Sequence, residues 1–185
     1  MNWITRDLAI GNLGEAMQES FLASNHIDIL VSLCSCEGVE SLPIRDITSV
    51  THIRIPVSID LLLRDDVTTF KKKIKAASEL IRYILEKNRS KRNSRKVLVH
   101  CHYGMDRAPA TVALALSEMY IETETFRESL KSITESYEYV KSRRPETRMH
   151  WGWVTDQWNR EDVEYVEYLK SYFKNLKLEQ IRSRA

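Results

Sequence analysis

Apolar residues along this chain follow two rhythms. Short runs rich in β-branched side chains, near residues 3–4, 8–10, 28–33, 51–57 and 96–100, are too brief for helices and read as strands. Elsewhere apolar residues recur three and four positions apart, which predicts helices near 13–24, 67–87, 108–120, 126–142 and 160–178. Asp66 and Thr125 stand where helix N-caps belong, and Thr125-Phe126-Arg127-Glu128 has the form of a capping box. Strands interleaved with helices predict an α/β fold in a single domain: a central, mostly parallel sheet of about five strands with helices on both faces.

One stretch, KVLVHCHYGMDRAPATVALAL (Lys96 to Leu116), carries the chemistry. Lys96 to Val99 is a buried-strand pattern, Gly104 breaks it, and Pro109 suits the first turn of a helix that continues through good helix formers. A tight loop feeding a helix N-terminus turns backbone N–H groups and the helix dipole toward one place, which makes an anion cradle. Cys101 sits where the strand ends, and positive potential there favours the reactive thiolate. Arg107 follows at C-x5-R spacing with a planar fork that matches two phosphate oxygens. A thiolate facing an Arg-held phosphoryl group is a nucleophilic site for phosphate transfer. A buried structural cysteine is the simpler alternative. It explains neither Gly104 nor Arg107 at this spacing, so the catalytic reading is preferred.

Composition narrows the rest. The chain has 185 residues, 43% of them hydrophobic, which suits one domain with its own core. Lys and Arg number 28 against 26 Asp and Glu, and a formal charge of +2 argues against a general nucleic-acid binder. No apolar stretch approaches the length of a membrane span, and Met1-Asn2-Trp3-Ile4 does not open like a signal peptide. Three cysteines without a repeating pattern point to a reducing compartment, by default the cytoplasm. Cys34-x-Cys36 lacks the further paired ligands of a zinc site, so no metal and no cofactor is expected. KNRSKRNSRK, ahead of the cysteine-bearing strand, reads as a solvated basic connector.

His100-Cys101-x-x-Gly104-x-x-Arg107 resembles the H-C-x-x-G-x-x-R signature of cysteine-dependent protein phosphatases. The flanks resemble the dual-specificity branch. WITRDLAIGNLGEA is similar to its opening, HIDILVSL to its second strand, THIRIPVSID to the strand before its acid loop, and VKSRRP with HWGW to its Arg-Pro turn and Gly-aromatic pair. This resemblance covers roughly residues 2 to 158. It implies a cysteine-phosphatase fold and a two-step phosphomonoester hydrolysis through a cysteinyl-phosphate. Cys101 would be the nucleophile, and Arg107 with His102, Tyr103, Gly104, Met105 and Asp106 would hold the phosphate. Residues 1–158 would form the catalytic domain. Residues 159–185, with apolar Val163, Val166, Leu169, Phe173 and Leu176 at helical spacing, would be a helical extension docked on it. Sustained heptads are absent, so a monomer is favoured over a dimer seam.

An alkoxide leaves poorly from phosphate, so a general acid is also required, worth about 10²–10⁴-fold. Asp60 follows THIRIPVS at the family's acid position and is the first choice, with Asp65 behind it; Asp66 is better explained as a helix cap. Three departures from the family pattern stand out. Ala108 replaces the usual Ser or Thr whose hydroxyl helps the thiolate leave, a loss of about 1–3 kcal/mol, though Arg107-Ala108-Pro109 resembles the loop end of plant glucan phosphatases. Asp106 before Arg107 resembles myotubularin- and Sac-type phosphoinositide phosphatases, where that aspartate has been assigned acid duty. His150 stands where the family often has a loop-bracing Asn, and an imidazole can also brace through a hydrogen bond.

Substrate class is less defined. The loop residues His102, Tyr103, Met105 and Asp106 include no Lys or Arg, which disfavours highly anionic head groups. Leu61, Leu62 and Leu63 suit an apolar lip for an aromatic phosphoester, or the core. Trp151, Trp153 and Trp158 suit a platform for sugar rings, or burial. Phosphoproteins, phosphotyrosine included, rank first and a phosphorylated carbohydrate or inositol second. A slow phosphatase-like module that binds phosphopeptides is the competing class. Cys34 ends DILVSLC, which resembles the strand of tensin-like lipid phosphatases that carries a resolving cysteine. The resemblance implies a reversible disulfide with Cys101, Cys36 being a second candidate and a small buried core residue the alternative.

Overall fold

In the computed structural model, which describes residues 1–34, 49–59, 61, 66–89, 94–117, 119–122, 127–129, 132–148, 150, 164, 167, 168 and 171, the apolar runs assemble into one five-stranded sheet. The strands are β1 (Asn2–Trp3), β2 (Leu8–Gly11), β3 (Ile29–Ser32), β4 (Thr51–Arg54) and β5 (Val97–His100). Their spatial order is β1-β2-β5-β3-β4, with β1 antiparallel to β2 and the other three pairings parallel. The helices are α1 (Leu13–Ala16), α2 (Glu19–Ser24), α3 (Val67–Arg89), α4 (Arg107–Leu116) and α5 (Ile133–Arg143). Short strands β6 (Tyr120–Glu122) and β7 (Arg127–Ser129) form a separate antiparallel pair.

Side-chain alternation builds a core on each face of the sheet. Leu8, Ile10, Ile29, Val31, Val97 and Val99 point one way and pack against α3, α4 and α5 through Phe70, Ile74, Ile81, Val112, Leu116 and Val140. Ala9, Leu30 and Leu98 point the other way, against Ala16, Leu22 and Ile27. Both faces of β5 are therefore covered, which is why Val97 to Val99 is continuously apolar. The expected α/β fold with helices on both faces is what forms.

Three elements depart from the sequence reading. The expected helix over 13–24 is two helices, because Gln18 takes an extended backbone (φ −101°, ψ 103°) after the C-cap Met17. On one straight helix Ala16 and Leu22 would point about 120° apart. The break lets both reach the same core. The expected strand 51–57 ends as regular structure at Arg54, since Pro56 has no N–H to donate. Its neighbours still pair, Ile55 N–H with the Ser32 carbonyl (2.9 Å) and Val57 N–H with the Leu33 carbonyl (3.1 Å). The helix expected over 126–142 begins instead at Ile133, and Arg127–Ser129 is a strand. Ser132 is the working cap, accepting from Glu135 N–H at 3.2 Å. The Ser-x-x-Glu that wins is the one followed by Ile133, Tyr137 and Val140, an apolar stripe that reaches the core.

Asp66 caps α3 as expected, accepting the Thr69 N–H at 3.1 Å. Asp60, Asp65, Leu62, Leu63, Cys36, Thr125, Phe126, residues 90–93 of the basic connector, the three C-terminal tryptophans, and nearly all of the expected helix 160–178 with its domain boundary lie outside the described residues. Among the described residues no helix is long and apolar enough to cross a membrane. What positions the site is the carboxyl edge of the parallel strands, where β5 leads into α4 between the ends of β2 and β3. Crevices of this kind are where open α/β sheets bind ligands.

Candidate active site

Cys101 follows the last residue of β5 and is 2% exposed, its side chain joining the core beneath the loop. The loop from Cys101 to Asp106 is held by its carbonyls. That of His102 accepts the Leu13 N–H (3.0 Å), that of Met105 the Arg148 N–H (2.8 Å), and that of Asp106 the Ala110 N–H inside α4 (3.0 Å). The Gly104 carbonyl accepts from Arg144 Nε at 2.8 Å. Among the described residues, the N–H groups of His102 to Asp106 donate to no other backbone group. Carbonyls tied to the protein body and uncommitted amides are the arrangement of an anion nest.

Gly104 is required here twice over. Its φ of +72° lies in the left-handed region, and a Cβ would sit 2.5 Å from the Gly11 carbonyl oxygen and 2.9 Å from Arg144 Nη2. Arg144 itself is buried. Besides Gly104 it reaches the Ile10 carbonyl (3.5 Å) and Asn2 Oδ1 through Nη1, and pairs with Glu146 at 3.3 Å. It thereby ties the loop to the first strand pair.

Arg107 opens α4 and is 3% exposed. One arm of its guanidinium is anchored on the far side of the loop, Nη1 donating to the Val57 carbonyl at 2.9 Å and lying 3.5 Å from that of Leu33. Asp106 occupies the N-cap of α4 without a side-chain cap bond, and its Oδ1 lies 3.4 Å from His150 Nε2. The imidazole thus lies beside the Asp106 carboxylate, but these two atoms do not hydrogen-bond to each other, so the expected bracing hydrogen bond is not formed there. Tyr103 is 66% exposed and meets His102 edge to face, the ring centroids 4.4 Å apart. Ala108 is fully buried in the core beside Cys101.

Behind the cysteine, His100 is fully buried, and burial pushes its pKa down from 6.5 to about 3, so the ring is neutral. Its Nε2 lies 2.5 Å from Ser32 Oγ, which lies 2.6 Å from His52 Nε2. The sequence reading passed over Ser32 and His52. The signal was a lone hydroxyl inside the apolar run ILVS, because a polar group buried on a strand requires a partner. Cys34 is buried, and neither it nor Cys101 is in a disulfide among the described residues. Leu33 N–H donates to the His100 carbonyl at 2.9 Å, so Cys34 lies one residue past the pairing that ends beside Cys101.

No protein-family model and no curated protein matches the sequence. Solved structures match it by shape. DUSP15 aligns over 95% of this chain and 95% of its own at 19% identity, with a TM-score of 0.56. Human DUSP28 aligns over 95% of this chain and 99% of its own at 16% identity and 0.53. The human tyrosine phosphatase-like serine/threonine/tyrosine-interacting protein aligns over 94% and 97% at 17% identity and 0.52. The chain has the dual-specificity phosphatase fold.

Proposed function

We propose that this chain is a phosphomonoester hydrolase of the protein tyrosine/dual-specificity phosphatase type. The observation that carries the reading is the loop from Cys101 to Arg107. Among the described residues its amides donate to no other backbone group, its carbonyls are tied outward, and a cysteine lies at its base with an anchored arginine at its end. In the proposed reaction the Cys101 thiolate attacks phosphorus, the P–O bond to the leaving group breaks, and a carboxylic acid, Asp60 by preference, gives that oxygen its proton. Water then attacks the cysteinyl-phosphate, with the same carboxylate as base, releasing inorganic phosphate and restoring the thiolate. Arg107 and the loop amides offset the charge on the equatorial oxygens at each step. Exposed Tyr103 within the loop suits an aromatic phosphoester, and phosphoproteins are the proposed substrates.

The decisive assay is hydrolysis of a small aryl phosphate. Wild type should turn over, be inhibited by vanadate and be insensitive to EDTA, and Cys101→Ser should be inactive. Retained activity in Cys101→Ser would remove the assignment. One observation favours a second reading, a slow phosphopeptide-binding module: the position after Arg107 carries only the buried methyl of Ala108. That reading expects tight phosphopeptide binding with turnover barely above background in the same assay.

A further inference from the structure

Charge is unevenly spread along α3. Lys71, Lys72, Lys73 and Lys75 crowd its second and third turns, and its first turn carries no acidic residue. The exposed Glu79 and Glu86 stand further along. Lys71 and Lys75 are four residues apart on one face, a spacing at which like charges destabilise a helix. Cations near the helix start also gain nothing from its dipole. The cluster therefore does not serve the helix, and an anion from outside would relieve it.

Two sets of contacts fix where these turns lie. Near the start of α3, Lys73 Nζ donates to the Pro56 carbonyl at 2.8 Å, one residue before the Val57 carbonyl that receives Arg107. Further along, Arg82 donates to the carbonyls of Leu114 and Ala115 in the last turn of α4. Arg107 opens α4, so the two helices run side by side in the same direction. Lys75 and Lys71 precede Arg82 by roughly two and three helical turns, which puts all three on the flank that faces α4. The same steps back along the chain from Ala115 reach Ala108, in the first turn of α4, and Gly104, in the loop. The exposed Lys75 and the half-buried Lys71 thus stand level with the loop from Cys101 to Arg107. Between those two residues the loop has no Lys or Arg of its own.

We propose that Lys71 and Lys75 are specificity-determining residues, a basic rim that receives carboxylates flanking the phosphorylated residue of a polypeptide. The preferred substrates are then phosphoproteins whose phosphorylated segment is acidic. The inference rests on the phosphatase reading for what happens to the phosphate, and on charge complementarity for what flanks it. An acidic peptide suits this surface better than an anionic membrane does. A flat anionic surface laid along α3 would also meet Glu79 and Glu86. A membrane-binding helix needs an exposed apolar face, and α3 turns its own into the core through Phe70, Ile74 and Ile81.

The test uses two phosphotyrosine peptides of equal length, one flanked by Glu and the other by Gln. Their kcat/KM values are compared with wild type, and their binding to Cys101→Ser is followed by fluorescence anisotropy. The acidic peptide should be preferred about fivefold in both, the effect of two exposed ion pairs, and the preference should vanish at about 0.5 M salt. Lys75→Glu should abolish it, and Lys71→Glu combined with Lys75→Glu should reverse it. Lys87→Glu makes the same charge change at the far end of α3 and should leave it as in wild type. The ratio of the two peptides within one preparation cancels any difference in folded fraction. Equal treatment of the two peptides by wild type overturns the proposal, as does an undiminished preference in Lys75→Glu. Lys75-dependent binding to phosphatidylserine vesicles without a peptide preference also overturns it. Preferential binding of the acidic peptide with no turnover of either would remove the phosphatase reading and leave the rim standing. Turnover of both without preference would do the opposite.

Discussion

Protonating the leaving oxygen requires a carboxylic acid beside it, and two aspartates of this chain compete for that role. Asp106 is built into the loop at the N-cap of α4, its carboxylate 3.4 Å from His150. Asp60 comes three residues after Val57, whose carbonyl anchors Arg107. Replacing Asp60 by Asn should therefore slow poor leaving groups by about 10²-fold or more, and a good aryl leaving group far less. Asp106→Asn should slow both alike. The reverse pattern in steady-state kinetics would move the acid into the loop. Ala108 sets a second expectation. If the missing hydroxyl limits breakdown of the cysteinyl-phosphate, rapid mixing should show a burst in wild type. Ala108→Ser should then raise the steady state by about tenfold, one hydrogen bond to the departing thiolate. An unchanged steady state would mean that another group assists the thiolate. Cys101, Gly104 and Arg107 were legible because their chemistry lies within seven consecutive residues. Asp106 was legible too, but its partner His150 appeared in the sequence only as an odd residue at a bracing position.

Among elements, α4 depends on a neighbour for its C-terminus. The last carbonyls of a helix lack partners within it. Here Arg82 of α3 supplies them, Nε donating to Ala115 at 3.2 Å and Nη2 to Leu114 at 3.0 Å and Ser117 at 3.1 Å. The guanidinium also meets the negative end of the helix dipole. Arg82→Ala should cost about 2 kcal/mol in urea unfolding with turnover per folded molecule unchanged, and Arg82→Lys, lacking the planar fork, should recover only part. A loss within experimental scatter would mean that water serves these carbonyls equally well. The long, strongly patterned elements were readable from sequence, α3 to within two residues of its end and β5 to within one. What failed was local pattern shared by two outcomes. The segment around Arg127 offered a capping box but Arg127–Ser129 forms a strand, whereas the box at Ser132 opens a helix whose Ile133, Tyr137 and Val140 meet the core. The run 13–24 was helical in pattern and broke where a straight helix would have aimed Ala16 and Leu22 at different neighbours.

On the scale of the whole molecule, nothing in the sequence pattern orders the strands β1-β2-β5-β3-β4; that order follows from which faces can be covered by helices of the available lengths. Residues brought to the site from a distance, Ser32, His52 and Arg144, were correspondingly silent or read only by resemblance. Arg144 has a consequence for motion. Because one guanidinium holds the Gly104 carbonyl and also Asn2 and Ile10, opening of the β1–β2 edge and loosening of the loop are one event. An anion that binds only the formed loop makes that opening rarer. At a hundred times its Kd the opening equilibrium shifts about a hundredfold. Deuterium uptake by residues 1–11 should slow to that extent when vanadate occupies a loop some ninety residues further along the chain. Asn2→Ala, which cuts the tether to β1 and keeps the Ile10 contact, should leave vanadate inhibition intact and reduce the slowing at β1. Equal protection in Asn2→Ala would separate the two motions. With the tether in place, the amides of the first eleven residues report, hydrogen by hydrogen, whether the site is filled.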